Sequence, residues 1–323
     1  MPARVVITGA NGYVGCVLYD LLNSAYDLVL VDNKTGDDPH NRFGLETISP
    51  PACSAKSIIP IDLVEERIKF AYLLDECKPD LVIHLAGILE NQTPDTITRK
   101  NLAINTNVVE LCAEKGIKLI AMSSVMVMYG AAMHNAKIKS ILERKAIAPL
   151  SEEEKIKLND PLMNTEEAIT EFNPGKSEQN FAYIKTKERL EELAQTTVRS
   201  KPGLTIAIIR LGWAGIRNPY ALEGEDTKFT ETSVYLDQID LRSFMLKLLE
   251  AILCGHIEGY HCYCPISKHP QSWISLKACQ EELDWEPSVD IIEKYARPAD
   301  LALTFGGSSQ SLLTTSTVNP CEP

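Results

Sequence analysis

The stretch RVVITGANGYVG, residues 4–15, constrains the fold of this chain more than any other. An apolar run leads into Gly9, Gly12 and Gly15, and a helical pattern follows them. Glycines at this spacing allow a tight turn between a buried strand and a helix, and they let backbone N–H groups approach an anion. A strand, a glycine-rich turn and a helix in this order predict the first unit of a parallel α/β sheet.

Apolar strands and amphipathic helices continue to alternate through the first two-thirds of the chain. The further strand patterns lie at 26–33, 57–63, 79–87, 117–125 and 204–212. They are rich in Val, Ile and Leu and lack polar alternation, which is typical of strands buried on both faces. The pattern therefore predicts an α/β fold with a doubly wound parallel sheet, the Rossmann arrangement.

Two regions depart from this rhythm and suggest a domain division. Residues 131–179 are charged and partly helical in pattern, and we expect a folded insertion or lid, because unstructured loops of this length are unusual. The polar tail, 301–323, is expected to be disordered. We therefore divide the chain before the tail into residues 1–210, which carry most of the sheet and the insertion, and residues 211–300.

Composition limits the classes of partner and the location. The net charge is -12 and there is no basic run, which argues against binding nucleic acid or an anionic membrane surface. No segment resembles a signal peptide or a membrane span. The nine cysteines have no framework spacing, so we expect reduced thiols in a cytoplasmic protein.

HCYC, residues 261–264, is open to two interpretations. It contains metal-ligating residue types, but it also fits a strand with alternating faces. Because no second pair of ligands stands at a useful spacing, we favour the strand and expect no metal.

A carboxylate at the end of the second strand indicates the cofactor. Asp32 can accept both ribose hydroxyls of an adenosine and would repel a 2′-phosphate, so NAD is preferred to NADP. The alternative is a tight turn and a surface aspartate without a cofactor. Asp62 and Leu63 end the third strand, and Leu85 to Gly87 follow the fourth, all at the edge where parallel sheets bind ligands.

Tyr183 and Lys187 lie four residues apart in a helical pattern. A free tyrosine has a pKa of about 10, and a lysine ammonium one helical turn away favours its phenolate. Such a pair suits proton transfer at a substrate hydroxyl. Because this spacing is common by chance, the alternative is an ordinary pair on a surface helix.

Taken together, these residues resemble the extended short-chain dehydrogenase/reductase family, also called NAD-dependent epimerase/dehydratases. The resemblance runs from about residue 4 to about residue 296. Its elements come in the family's order: TGANGYVG, Asp32, DL at 62–63, HLAG at 84–87, Asn105, SS at 123–124, Tyr183 with Lys187, Arg210 after the next strand, and LDWEPSVD near the end.

The resemblance implies that residues 1–210 are an NAD-binding Rossmann domain and that residues 211–300 form a small substrate-binding lobe interleaved with it. It also implies a Ser/Thr–Tyr–Lys catalytic group and a homodimer formed through the fourth and fifth helices. Tyr183 would exchange a proton with the substrate, Lys187 would also hold the nicotinamide ribose, and Ser124 would hydrogen-bond the reacting oxygen. The family's hydroxyl usually stands five residues before the glycine of YG, a position that Val125 occupies here. We favour Ser124 because the strand-end serines fix the register better than a loop does.

The predicted catalytic residues are Ser124, Tyr183 and Lys187. The predicted cofactor-binding residues are Gly9, Asn11, Gly12, Tyr13, Val14, Gly15, Asp32, Asn33, Asp62, Leu63, Leu85, Ala86, Gly87, Asn105, Ser123, Tyr183 and Lys187. The predicted substrate-binding residues are Ser124 and Arg217.

Two departures from nucleotide-sugar enzymes point to a smaller substrate. The chain after Arg210 is short before Asp240, which looks like the family's helix-starting aspartate, and GW at 212–213 replaces an expected Asn. The segments RLGWAGIRNP and VYLDQIDLRSFMLKLLEA look most like uronate dehydrogenases, which oxidise a hexuronic acid. Arg217 would then bind a substrate carboxylate, or else be a solvated loop arginine.

Three functions follow from these patterns. The first is NAD-dependent oxidation or reduction of a sugar or sugar acid. The second is epimerisation or dehydration of a nucleotide sugar with tightly bound NAD. The third is a non-enzymatic NAD-binding regulator, against which the Ser–Tyr–Lys set argues.

Overall fold

A seven-stranded parallel sheet forms the centre of the molecule, in the order β3-β2-β1-β4-β5-β6-β9. The computed structural model describes residues 2–33, 58–89, 92–142, 149–159, 167–169, 177–215 and 232–296. The strands are β1 Arg4–Thr8, β2 Asp27–Asp32, β3 Ile59–Pro60, β4 Leu81–His84, β5 Lys118–Ser124, β6 Ile206–Leu211, β7 Trp213–Gly215, β8 Tyr235–Asp237 and β9 Tyr260–Tyr263. The predicted α/β fold with a doubly wound parallel sheet is confirmed.

The helices connect the strands and cover both faces of the sheet. They are α1 Tyr13–Leu22, α2 Arg67–Cys77, α3 Pro94–Lys115, α4 Tyr129–His134, α5 Ala136–Leu142, α6 Glu152–Ile156, α7 Ser177–Ser200, α8 Gln238–Leu253, α9 Lys277–Leu283 and α10 Ile291–Tyr295. Short 3-10 turns occupy Val125–Met128, Lys157–Asn159 and Thr232–Val234. HCYC falls mostly on β9, as the strand interpretation predicts.

Two hydrophobic layers enclose the sheet. One buried cluster joins β1 and β4 to α1 and α8, and the other joins the opposite face of the sheet to α2, α3 and α7. Because the strands are covered on both sides, their side chains read as continuous apolar runs rather than alternating ones. In the parallel register, Thr8 pairs with His84 and Ser123 with Arg210, so the carboxyl ends of neighbouring strands meet at one edge.

The region predicted as an insertion is partly helical and is packed into the molecule. Helices α4, α5 and α6 belong to it at least in part, and Ile138 and Ile169 join a third buried cluster with Trp273 of the carboxyl-terminal region and Ile184 of α7. The acidic first turn of α6 is capped by Ser151 in a capping box. The described parts of this region therefore share a hydrophobic core with α7, the helix that carries Tyr183 and Lys187.

The helix-starting aspartate is Asp237, not Asp240 as the sequence suggests. Asp237 is the N-cap of α8, and its side chain accepts a hydrogen bond from the Ile239 N–H. Asp240 lies in the first turn of α8 and is fully buried. Arg210, placed after a strand by the sequence, is the fifth residue of β6. Both differences are small. They arise because the exact ends of helices and strands carry weak sequence signals.

The described ranges leave some predictions outside them. The expected disordered tail at 301–323 lies outside the described residues, and so does Arg217. No helix in the described part of the chain is both long and apolar enough to cross a bilayer. Within those same ranges, no group of three or more His, Cys, Asp or Glu side chains is placed to hold a metal ion.

Candidate functional site

The glycine turn between β1 and α1 brings two stretches of backbone into close contact. Gly9 has a φ of +70°, and a Cβ on it would lie 2.6 Å from the Ala86 nitrogen. A Cβ on Gly15 would lie 2.5 Å from the Ala10 carbonyl oxygen. Gly9 is required by its left-handed backbone and by this contact, and Gly15 is required by its contact alone. At Gly9 the turn packs directly against the strand end after β4, so two of the three predicted glycines have a structural requirement.

The amino terminus of α1 is built to face an anion. Gly12 is its N-cap and supplies no side-chain hydrogen bond, so the first N–H groups are not satisfied by a capping side chain. Such N–H groups, with the helix dipole, suit a pyrophosphate. Asp32, at the end of β2, accepts a hydrogen bond from the Asn11 N–H at 3.0 Å. The carboxylate thus stands beside the glycine turn and is 8% exposed.

Tyr13 and Val14 begin α1 and are partly buried. The Tyr13 hydroxyl lies 3.5 Å from the Gln238 Nε2 and accepts its hydrogen bond. Burial raises the pKa of Tyr13, so its phenol stays neutral. Tyr13 therefore joins the cofactor turn to the first residue of α8, which is a packing role that the sequence did not indicate.

The ends of β2 and β3 carry the remaining candidates on this side. Asn33 is exposed directly after Asp32. Asp62 is partly buried, and its side chain accepts a hydrogen bond from the Val64 N–H at 2.8 Å, while Leu63 is buried. These positions lie at the carboxyl edge of the sheet, where the sequence placed them.

Lys187 is buried at the centre of the candidate site. Its ammonium donates to the Met122 carbonyl at 2.7 Å and lies 5.4 Å from the centroid of the Tyr183 ring. A Cβ on Gly87 would lie 3.8 Å from the same nitrogen. Burial lowers the pKa of Lys187 to about 8, and the charge of Glu191 opposes this shift. At pH 7 the ammonium form therefore still predominates.

Tyr183 stands one helical turn before Lys187 on α7 and is partly exposed, whereas Lys187 is 5% exposed. The Tyr183 ring and the buried Lys187 ammonium are thus neighbours on one face of α7. A cation close to a phenol favours its ionised form. This pair can therefore act as a proton acceptor or donor at the edge of the sheet.

Two asparagines on α3 fix the strand end near Lys187. Asn105 Oδ1 lies 3.2 Å from His84 Nε2, and Asn105 Nδ2 lies 3.5 Å from the Thr186 carbonyl. Asn101, which the sequence did not single out, bonds both the N–H and the carbonyl of Ile88 at 2.7 and 2.9 Å. Hydrogen bonds between a buried side-chain amide and a distant backbone segment can be recognised only when the position of α3 in the fold is known.

His84 is a buried histidine with both ring nitrogens engaged. Nδ1 lies 2.8 Å from Thr8 Oγ1, and Nε2 faces Asn105. Burial and the charge of Lys187 lower the pKa of His84 to about 3, so the ring is neutral. A neutral ring adds no further positive charge next to the buried Lys187 ammonium.

The two strand-end serines differ in their partners. The Ser123 hydroxyl donates to Glu191 at 2.6 Å, which turns it toward a buried carboxylate. Ser124 is the N-cap of the 3-10 turn and accepts from the Met126 N–H at 3.2 Å. Val125, at the position where the family usually has its hydroxyl, is 3% exposed. Ser124 stays the predicted catalytic hydroxyl.

A buried ion pair, missed in the sequence, completes the neighbourhood. Arg210 Nη2 lies 2.8 Å from Glu191 Oε2, with side chains 8% and 7% exposed. Glu191 follows Lys187 by four residues, so the helical repeat places both on one face of α7. The four-residue spacing from Lys187 was the one sequence feature that could have indicated Glu191 as part of this neighbourhood.

Residues 5–153 match the model described as "NAD dependent epimerase/dehydratase family". Over residues 5–153, the chain thus has the sequence pattern of the NAD-dependent epimerase/dehydratase family. The match supports an NAD-dependent oxidoreductase. No curated protein matches the chain.

Several solved structures of dehydrogenases and epimerases share the fold. A uronate dehydrogenase mutant from Agrobacterium tumefaciens, complexed with NAD, is 16% identical with a TM-score of 0.56, covering 92% of this chain and 91% of that one. UDP-glucose 4-epimerase from Bifidobacterium longum, in complex with NAD+ and UDP, is 17% identical with a TM-score of 0.54, covering 94% and 96%. A monomeric L-threonine 3-dehydrogenase from a metagenome is 17% identical with a TM-score of 0.56, covering 93% and 98%. At these identities the likeness concerns the fold.

The described residues fit the family's cofactor. The glycine turn has no room for a side chain at Gly9 or Gly15, and the α1 amino terminus has no capping side chain. The Asp32 carboxylate lies next to this turn, and the Lys187 ammonium lies next to Gly87, which follows the residue that contacts Gly9. NAD, the predicted cofactor, is confirmed at the level of the family.

Replacing Asp32 with serine should relax the choice between the two nicotinamide cofactors. The carboxylate repels a 2′-phosphate, and serine removes that repulsion while keeping a hydroxyl. We expect the ratio of NADPH to NADH dissociation constants to fall by about tenfold or more, measured by fluorescence titration. Asp27→Ser, at the other end of β2, is the matched control and should leave the ratio unchanged. An unchanged ratio in Asp32→Ser would remove Asp32 from the cofactor site.

Proposed function

We propose that this chain transfers a hydride between NAD and a hydroxyl-bearing carbon of a sugar or sugar acid, in the manner of a uronate dehydrogenase. One observation carries the proposal: the Tyr183 ring lies over the buried Lys187 ammonium, beside the strand end that packs against the glycine turn. An ordinary surface pair would leave the lysine in solvent, whereas Lys187 is 5% exposed.

In the oxidation direction, Tyr183 as a phenolate removes the proton of the substrate hydroxyl. Lys187 lowers the cost of that phenolate and holds the nicotinamide ribose, while its bond to the Met122 carbonyl fixes the direction of its N–H groups. Ser124 donates a hydrogen bond to the reacting oxygen. NAD supplies the hydride acceptor, and in the reverse direction Tyr183 returns the proton.

The substrate proposal rests on the short path between β6 and α8. Leu211 ends β6 and Gln238 starts α8, so few residues are available for recognising a nucleotide. A small polyhydroxylated acid needs less surface than a nucleoside diphosphate. We propose that residues 211–300 form the substrate lobe and that Arg217 pairs with the substrate carboxylate.

A second candidate is a nucleotide-sugar epimerase or dehydratase that retains NAD. The shared fold of the UDP-glucose 4-epimerase favours including it, since that chain is covered as fully as the dehydrogenases are. In that case NAD would copurify with the protein and no net NADH would form.

The test is an NADH-absorbance assay on purified protein with a panel of substrates. The panel holds hexuronates, neutral hexoses, L-threonine, UDP-sugars and dTDP-sugars, each with added NAD. We expect NADH formation with a hexuronate and not with the matched neutral hexose. Turnover of a nucleotide sugar without net NADH would favour the second candidate. NADH formation from L-threonine alone would overturn the sugar-acid proposal.

The family resemblance also implies a homodimer, which stays a proposal. The resemblance places that dimer at the family's fourth and fifth helices; in this chain the two long helices α3 and α7 pack against each other. Sedimentation equilibrium would distinguish a dimer from a monomer directly.

A further inference from the structure

The Glu191–Arg210 ion pair has no part in the proton transfer described above, yet it contacts the same strand as Lys187. Met122 and Ser123 are consecutive residues near the end of β5. The Met122 carbonyl accepts from Lys187, and the Ser123 hydroxyl donates to Glu191 at 2.6 Å. The two α7 side chains, four residues apart, are therefore attached to β5 at adjacent points.

Arg210 holds the carboxylate from the other side. Its Nε and Nη2 lie 3.0 and 2.8 Å from the two oxygens of Glu191, a bidentate pair. Glu191 is 6% exposed and Arg210 is 7% exposed. The carboxylate cannot turn to solvent, so its charge acts on its surroundings with little screening.

Building on the proposed function, we infer that Glu191 is a positioning residue that keeps Lys187 protonated and directed at the cofactor. It does not touch the cofactor or the substrate. Arg210 and Ser123 keep its charge at a fixed place, and that charge offsets the cost of burying the lysine ammonium.

The other titratable groups around Lys187 leave this task to Glu191. His84 of β4 is neutral, Arg210 of β6 carries a like charge, and Tyr183 lies on the same helix as Lys187. Cys262 of β9, next to the ion pair, stays a neutral thiol because burial raises its pKa to about 12. Among the described residues, Glu191 is the carboxylate whose charge opposes the loss of the Lys187 proton.

Two substitutions should move the titration of Lys187 in opposite directions. Glu191→Gln removes the anion next to Lys187, so the Lys187 midpoint should fall by about one pH unit or more. Arg210→Met removes the cation that pairs with Glu191, so the midpoint should rise. If the ion pair contributed only to the packing of α7, both variants would loosen that helix, and the Lys187 midpoint would not shift in opposite directions.

The measurement is competitive acetylation of the folded protein with acetic anhydride, with the Lys187 peptide quantified by mass spectrometry between about pH 6 and about pH 11. It needs neither cofactor nor substrate. Glu192→Gln is the matched control: Glu192 lies on the same helix, is 59% exposed and pairs with Arg189, so the midpoint should not change. NADH fluorescence titrations over the same pH range should show affinity lost at a lower pH in Glu191→Gln than in the unmodified protein.

Near-UV circular dichroism checks that each variant folds. If Glu191→Gln does not fold, the double variant Glu191→Gln/Arg210→Met replaces it, and its midpoint should be lower than that of Arg210→Met, because these two proteins differ only in the carboxylate. An unchanged Lys187 midpoint in Glu191→Gln, or equal midpoints in the double variant and Arg210→Met, would overturn the inference. Failure of the unmodified protein to bind NADH would instead overturn the proposed function, while the Lys187 titration would stand.

Discussion

Replacing Tyr183 with phenylalanine should lower kcat/KM by a factor of about a hundred to ten thousand, the usual range for removing a positioned acid or base. The ring stays over Lys187, so packing and the lysine position are preserved, and only the exchangeable proton is lost. We expect NADH affinity to change by about twofold at most. Initial rates with the active sugar acid, and NADH fluorescence titration, measure the two quantities separately.

The matched control is Tyr72→Phe on α2, where the side chain is 70% exposed. That change removes the same hydroxyl from a position distant in the fold and should leave both quantities unaltered. If Tyr183→Phe kept most of its activity, Tyr183 would be excluded as the proton carrier, and a water or Ser124 would have to take its place.

The second large effect concerns stability. Asp240 is fully buried and accepts hydrogen bonds from the Ser267 hydroxyl at 2.6 Å, the Ser288 N–H at 2.7 Å and the Val289 N–H at 3.2 Å. Asp240→Asn places an amide group against donors, so at least one of these groups loses its partner. We expect the free energy of unfolding to fall by about 3 kcal/mol, measured by urea denaturation.

Asp284→Asn makes the same chemical change at a side chain that is 100% exposed. Asp284 has a φ of +48°, a conformation that Asn also tolerates, so the control should change the unfolding free energy by less than about 0.5 kcal/mol. Equal effects of the two substitutions would mean that the buried hydrogen bonds of Asp240 contribute nothing specific to this part of the fold.

The sheet could be predicted from the sequence because each buried strand is a separate apolar run between a helix and a turn. Gly9 and Gly15 could be predicted because their spacing between a strand and a helix is a local pattern, although the contact of Gly9 with Ala86 is not. The Tyr183–Lys187 pair was readable because both residues lie on one helix, where spacing determines the face.

What the sequence did not reveal depends on contacts between distant segments. Asn101 is positioned by its bonds to Ile88, and Glu191 by Arg210, and neither pairing has a local pattern. The misplaced helix start arose because Asp237 and Asp240 are both plausible caps by residue type. The packed structure distinguishes them. Asp237 caps α8, whereas Asp240 lies in the interior and accepts hydrogen bonds from Ser267 and Ser288.

The third buried cluster also limits how this enzyme family member can be re-engineered. Ile138 and Ile169 share one hydrophobic core with Ile184 of α7 and with Trp273. The insertion therefore cannot be replaced by another segment without changing the packing of that core. Deleting it would uncover apolar surface next to the helix that carries Tyr183 and Lys187. Changes of specificity made through the insertion must therefore be accompanied by compensating changes in the carboxyl-terminal region.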